Sequence, residues 1–161
     1  MRLAILSDIH GNLAALETVL ADLRSCAPDA IVNLGDCVTS PLWPRETLEL
    51  LETLRRPTVR GNHDRWVAEM PPERVTRTVT FTHDALTAAQ RAALGAELAR
   101  RLGSVTAGLV LCSHSHFPCV ALAPGDRLVV NPGSIGCPRY ADNADPFASE
   151  INSPQDRKSV V

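Results

Sequence analysis

Four short polar motifs hold the residues of this 161-residue chain that are best equipped for chemistry. Asp8-Ile9-His10 offers a carboxylate and an imidazole two positions apart. In an extended segment alternate side chains point the same way, so both can reach one point. Ser113-His114-Ser115-His116 repeats that spacing with two imidazoles, while Gly35-Asp36 and Gly61-Asn62-His63-Asp64 add a further carboxylate and an amide oxygen. Asp8, His10, Asp36, Asn62, His114 and His116 together form a mixed nitrogen and oxygen donor set. Such a set suits Mn, Fe, Zn or Ni better than Ca or Mg. Six donors exceed the needs of one tetrahedral ion. A pair of ions about 3.5–4 Å apart, bridged by a carboxylate and a water, uses them better.

Taken singly, each residue has a plainer explanation. Asp8 or Asp36 alone reads as a helix cap. Asn62 beside Gly61 reads as a turn residue, and His114 or His116 as a satisfied or exposed histidine. The joint pattern outweighs these readings: D-x-H, G-D, G-N-H-D and H-x-H each come directly after an apolar run.

Those apolar runs are the elements that must position the motifs. Residues 2–7 stop at the polar cluster Asp8 to Asn12, and Leu13, Leu16, Val19, Leu20 and Leu23 then recur at helical spacing before Pro28. Ala30 to Leu34 forms a second run, followed by an expected helix at Pro44 to Arg55 with the proline suited to its first turn. Pro57 to Arg60 is a third. The rhythm predicts βαβ units with a partly parallel sheet. In the second half, Thr87 to Leu102 reads as a helix with Thr87 as cap and Gly103 as stop. Strand-like runs at 109–112, 119–123 and 127–130 predict antiparallel pairing, and from Pro138 onward the chain reads as irregular.

Composition narrows the alternatives. With 16 basic against 18 acidic residues the net charge is −2, which argues against nucleic-acid or membrane binding through bulk charge. Six scattered aromatics offer no stacking platform for single strands. The 45% apolar content and the length fit one globular domain over residues 1–161. The four apolar residues before Asp8 are too few for a signal-peptide core. Five cysteines, odd in number and without a C-x-x-C pair, are expected to be reduced and mostly buried, which places the chain in the cytoplasm.

Ser7-Asp8-Ile9-His10-Gly11-Asn12, Leu34-Gly35-Asp36, Gly61-Asn62-His63-Asp64, Ser113 to His116 and Asn131-Pro132-Gly133-Ser134-Ile135-Gly136 resemble the calcineurin-like metallophosphoesterase superfamily. The likeness is closest to its small bacterial and archaeal phosphodiesterase branch and runs over residues 1–140. It implies an α/β fold of two packed mixed β-sheets flanked by helices, with a dinuclear site at the strand ends; the tail after Ala141 departs from the family pattern, so closing strands truncated near the C-terminus are expected. It also implies roles: Asp8, His10 and His116 hold the first ion, Asp36 bridges, and Asn62 and His114 hold the second. His63 stays unligated beside the substrate phosphate. The residue reading agrees, because in an extended loop His63 points away from the ion that Asn62 binds and is free to protonate a leaving oxygen.

The sequence departs from the family pattern at two further points. Family members carry another histidine in a His-Gly step between the third and fourth motifs. Here that stretch contains His83, in Phe81-Thr82-His83-Asp84, either as a substitute ligand or, preferably, as a surface or capping histidine. The second ion is thus one ligand short. Ser113 stands where the family has glycine, and strain is expected in that turn. The implied activity is hydrolysis of a phosphate ester, a diester or small phosphorylated metabolite, by attack of a metal-bridging hydroxide with His63 assisting. Two divalent transition-metal ions, manganese first, are the implied cofactors. The partner is a small phosphorylated substrate, with no nucleic acid or membrane, and an oligomer is open. The alternative is a weakened or non-catalytic scaffold of the same fold that binds another protein.

Overall fold

The computed structural model of the chain describes residues 1–95, 107–123 and 127–138. Strand β1 (Leu3–Leu6) pairs in parallel with β2 (Ala30–Asn33), in register from Leu3 opposite Ala30 to Leu6 opposite Asn33. Helix α1 (Leu13–Cys26) is the crossover between them, the βαβ unit expected from the apolar periodicity. The Asn12 side chain starts it by accepting from the Ala15 amide at 3.1 Å. Its inner face buries Ala15, Leu16 and Leu23, and the last two join a core with Ala4, Leu6 and Ile9.

The third apolar run contributes one bridge, Asn33 opposite Thr58, rather than a strand. Pro57 has no N–H to donate, and the chain turns at Gly61 directly into a helix. Helix α2 (Pro44–Leu54) starts on its proline as expected. Helices α3 (Asn62–Glu69), α4 (Arg77–Ala85) and α5 (Ala88–Gly95) follow, with a short 3₁₀ turn at Pro72–Arg74. They close around Val67, Val79, Leu86 and Leu94, which pack with Cys37, Val38 and Leu48. Thr87 caps α5, exchanging hydrogen bonds with Gln90 at 2.9 and 3.2 Å. Residues 96–102 of the expected helix, and its stop at Gly103, lie outside the described residues.

The second sheet runs in the order β3-β5-β4, from β3 (Leu109–Leu111), β4 (Cys119–Ala123) and β5 (Arg127–Asn131). The expected antiparallel pairing holds for β4 with β5, but β3 lies parallel to β5. Two small sheets with helices beside them match the expected fold class, the first sheet being purely parallel in its described strands. The chain after β5 returns to the first sheet. Ile135 and Gly136 donate their amides to the carbonyls of Ser7 and Asp8 at 3.0 and 3.1 Å. A Cβ on Gly136 would lie 1.7 Å from the Ile9 carbonyl oxygen, so only glycine fits this seam. The tail after Ala141 lies outside the described residues.

One expectation is corrected here. None of the five cysteines is in a disulfide, but Cys37 is the buried one; Cys26 is half-buried, and Cys112, Cys119 and Cys137 are exposed. The last three stand on the small second sheet and its loops, where little core is available to cover them.

Candidate metal centre

Asp8 and His10 follow β1, Asp36 follows β2, Asn62 and His63 open α3, and His114 and His116 follow β3. Ligand groups beyond strand carboxyl ends are the rule for open α/β sheets. The means by which they converge differs from expectation. Asp8, His10, Asp36, His114 and His116 have φ of +49°, +49°, +53°, +79° and +62°. Left-handed turns, not strand alternation, bring the D-x-H and H-x-H side chains inward. Ser113 is not among the positive-φ residues, so the strain expected there falls on the histidines instead.

Asp8, His10 and His116 come together with their donor atoms within 4.8 Å of one another. The two Nε2 atoms are 3.2 Å apart, and His116 Nε2 stands 3.3 Å from Asp8 Oδ1. Each imidazole is fixed from behind by a backbone carbonyl: His10 Nδ1 lies 3.2 Å from Thr39 O, and His116 Nδ1 lies 2.6 Å from Cys137 O. A ring that donates its Nδ1 proton backwards presents a bare Nε2 forwards, the usual preparation of a histidine ligand. Asp8 Oδ1 is buried, and its polar neighbour in the ion-free state is the His116 ring. Two ring nitrogens and a buried carboxylate oxygen facing one point fit a divalent transition-metal ion.

The electrostatics belong to the ion-free state. Burial pushes the Asp8 carboxyl up, but its contacts with His116 and Ser7 outweigh burial and hold it below the ordinary value. The same contact with Asp8, aided by Cys137, raises His116 to about 10. His10 moves the other way, lowered by burial against a partial offset from Asp36. An ion held here would compete with the proton that His116 carries.

Asp36, Asn62 and His114 form a second cluster. With its amide nitrogen inward, Asn62 donates to His114 Nδ1 at 2.9 Å and Asp36 Oδ2 at 3.3 Å. With the amide turned, its oxygen, the imidazole nitrogen and the carboxylate oxygen converge as three acceptors, an arrangement a cation would satisfy. Asp36 is thus shared with neither seat exclusively: its charge reaches His10, and its Oδ1 accepts the His63 amide at 2.8 Å. Of the five histidines, four stand at these clusters. His83 sits in the last turn of α4, its Nδ1 3.1 Å from Asp84 Oδ1.

His63 lies in the first turn of α3 rather than in an extended loop, so its separation from Asn62 follows from the roughly 100° step between helical neighbours. Burial lowers its pKa, with Asp36 working against that shift. Asp64 is the site residue that motif reading left without a role. Its buried carboxylate accepts the amides of Asp36 at 2.9 Å, Cys37 at 2.8 Å and Gly61 at 3.1 Å, tying the Asp36 loop to the start of α3. Its place three residues after the Gly61 cap was the available signal. Gly61 must be small, since a Cβ there would lie 2.1 Å from Asp36 Oδ1.

Fold and site together define an α/β protein with a candidate two-ion centre beyond the carboxyl ends of its strands. The chain belongs to the calcineurin-like phosphoesterase superfamily, whose domain model matches residues 1–151. A metallophosphoesterase from Sphaerobacter thermophilus is similar in structure at a TM-score of 0.72 and 27% identity, covering 88% of this chain and 80% of that one. Yfce, a phosphoesterase from E. coli, shares the fold at a TM-score of 0.56 and 21% identity over 88% of this chain and 84% of its own. An uncharacterized protein of Methanocaldococcus jannaschii is 44% identical over 62 residues, which span 38% of this chain and 26% of that relative's length. No helix among the described residues is long and apolar enough to cross a membrane.

Proposed function

We propose that the chain is a metal-dependent hydrolase of phosphate esters, with a phosphodiester or small phosphorylated metabolite as substrate and a pair of manganese ions as cofactor. The observation that carries this reading is the convergence of His10 Nε2, His116 Nε2 and the buried Asp8 Oδ1, each imidazole braced by a backbone carbonyl. Asp8, His10 and His116 hold the first ion, Asn62 and His114 the second, and Asp36 lies between them. When bound, such ions supply positive charge against the phosphoryl oxygens and a water acidic enough to attack at neutral pH. His63 donates a proton to the leaving oxygen from the neighbouring helix turn, and no protein nucleophile is needed. Five cysteines outside any disulfide support a reducing, cytoplasmic setting.

Metal analysis and turnover test the reading together. The purified chain is expected to retain close to two manganese ions, with the second leaving first on dialysis. It should also hydrolyse a chromogenic phosphodiester until chelator is added. Hydrolysis undiminished by chelation would refute it, and metal content near zero without turnover would favour the non-catalytic scaffold.

A further inference from the structure

We infer that Trp66 is a positioning residue for His63, holding its imidazole at the angle from which it meets a leaving oxygen. The inference rests on the proposed role of His63 as proton donor. His10 and His116 each have a backbone carbonyl behind Nδ1. His63 has none: its Nδ1 is buried without a hydrogen-bond partner. Its main-chain amide is fixed on Asp36, but the ring direction is set by packing. Against the ring stands Trp66, three residues on along α3, with ring centroids 4.5 Å apart and planes inclined at 55°. His10 also packs against the His63 ring, edge-on at 5.1 Å and 89°. Trp66 in turn packs against the buried cluster of Cys37, Val38, Leu48 and Val67, so the indole is itself anchored. Without that wall the imidazole gains access to other staggered side-chain wells. A donor displaced by about 1 Å forfeits on the order of 10²-fold in rate.

The test uses two substrates, one with an alkyl leaving group that needs a proton and one with a 4-nitrophenyl group that leaves unaided. In the manganese-loaded enzyme, Trp66→Leu should lower kcat on the alkyl ester by about 10²-fold with KM little changed. It should cost the nitrophenyl ester far less, and Trp66→Phe should restore most of the loss. Added to His63→Ala, Trp66→Leu should cost nothing further. A second readout needs no turnover: in the metal-free protein, Trp66→Leu should shift the His63 ring proton resonances and leave those of His116 in place. Equal losses on both esters, or a further loss in the His63→Ala background, would make Trp66 merely structural and overturn the inference. If His63→Ala is severe and Trp66→Leu harmless, the inference alone falls. If His63→Ala leaves the alkyl ester unaffected, the donor role falls and the inference with it.

Discussion

Five of the side chains gathered at this centre sit on left-handed backbone, a conformation that costs an L-residue about 1–2 kcal/mol. Such strain persists where surrounding hydrogen bonds over-determine it, and here the Asp8, His10 and Gly11 amides are held by the carbonyls of Gly35, Asp36 and Cys37. The exposed His114, at φ +79°, makes the point measurable. In chelator, His114→Gly should exceed His114→Ala in unfolding free energy by about 1 kcal/mol, both lacking the imidazole. Ordinary strand or helix backbone would give the opposite order, and urea denaturation decides between them.

His116 gives the metal-free protein a characteristic pH dependence. Its folded pKa of about 10 lies above the ordinary 6.5. The stability it contributes is therefore complete below pH 6.5 and drains away as pH rises toward 10. Burial also raises the Cys37 thiol, which would add its own loss above about pH 9. Between pH 6.5 and 9, urea midpoints in chelator should fall steadily, and Mn²⁺ should reverse the trend because proton and metal compete for one nitrogen. A flat metal-free profile would show that His116 carries no such proton. At this scale the sequence was informative about which residues meet, since type and spacing mark donors. It could not reveal how, because strand alternation and paired left-handed turns converge the same side chains.

At the scale of elements, α3 is the hinge between core and centre. Its first turn presents Asn62 and His63, while Asp64 at the third position binds three amides from Gly61 and the Asp36 loop. Asp64→Ala would strand those amides in a buried setting. Unfolding in urea should show a loss of about 3 kcal/mol or more, with manganese affinity reduced as the Asp36 loop loosens. Asp64→Asn should also destabilise, since its NH₂ faces a backbone N–H. If Asp64→Ala unfolds like the parent, the tether contributes nothing. Helices α1 and α2 were legible because apolar spacing agrees with the prolines, Pro28 beyond the end of α1 and Pro44 at the start of α2. Helix α4 was not: Arg77-Thr78-Val79-Thr80-Phe81-Thr82 is rich in β-branched and aromatic residues that favour strands. Tertiary contacts override that preference, with Thr76 capping at the Val79 amide and Thr82 buried against Ser40. The third strand failed for a related reason, since a proline and two closely approaching glycine turns leave room for a single bridge.

Across the whole molecule, the centre is a joint between distant stretches of chain. His10 and His116 are 106 positions apart. The stretch from Ser134 to Cys137 fastens the second sheet to the first, through Ser134 Oγ on the Asp8 carbonyl at 2.6 Å and Asn12 on the Gly136 carbonyl at 3.2 Å. The Asn131 to Gly136 motif carried part of the family resemblance, but its role as this joint was not read from the sequence. Its detailed stitching depends on main-chain carbonyls, which carry no side-chain signature. The carbonyl of Cys137 that braces His116 belongs to this late segment. The N-terminal half thus supplies Asp8, His10 and Asp36, while the histidine that completes the first seat and the carbonyl that orients it come from the end of the described chain. On the proposed function, a chain cut before Cys137 is expected to retain less manganese than the full chain, which metal analysis would read.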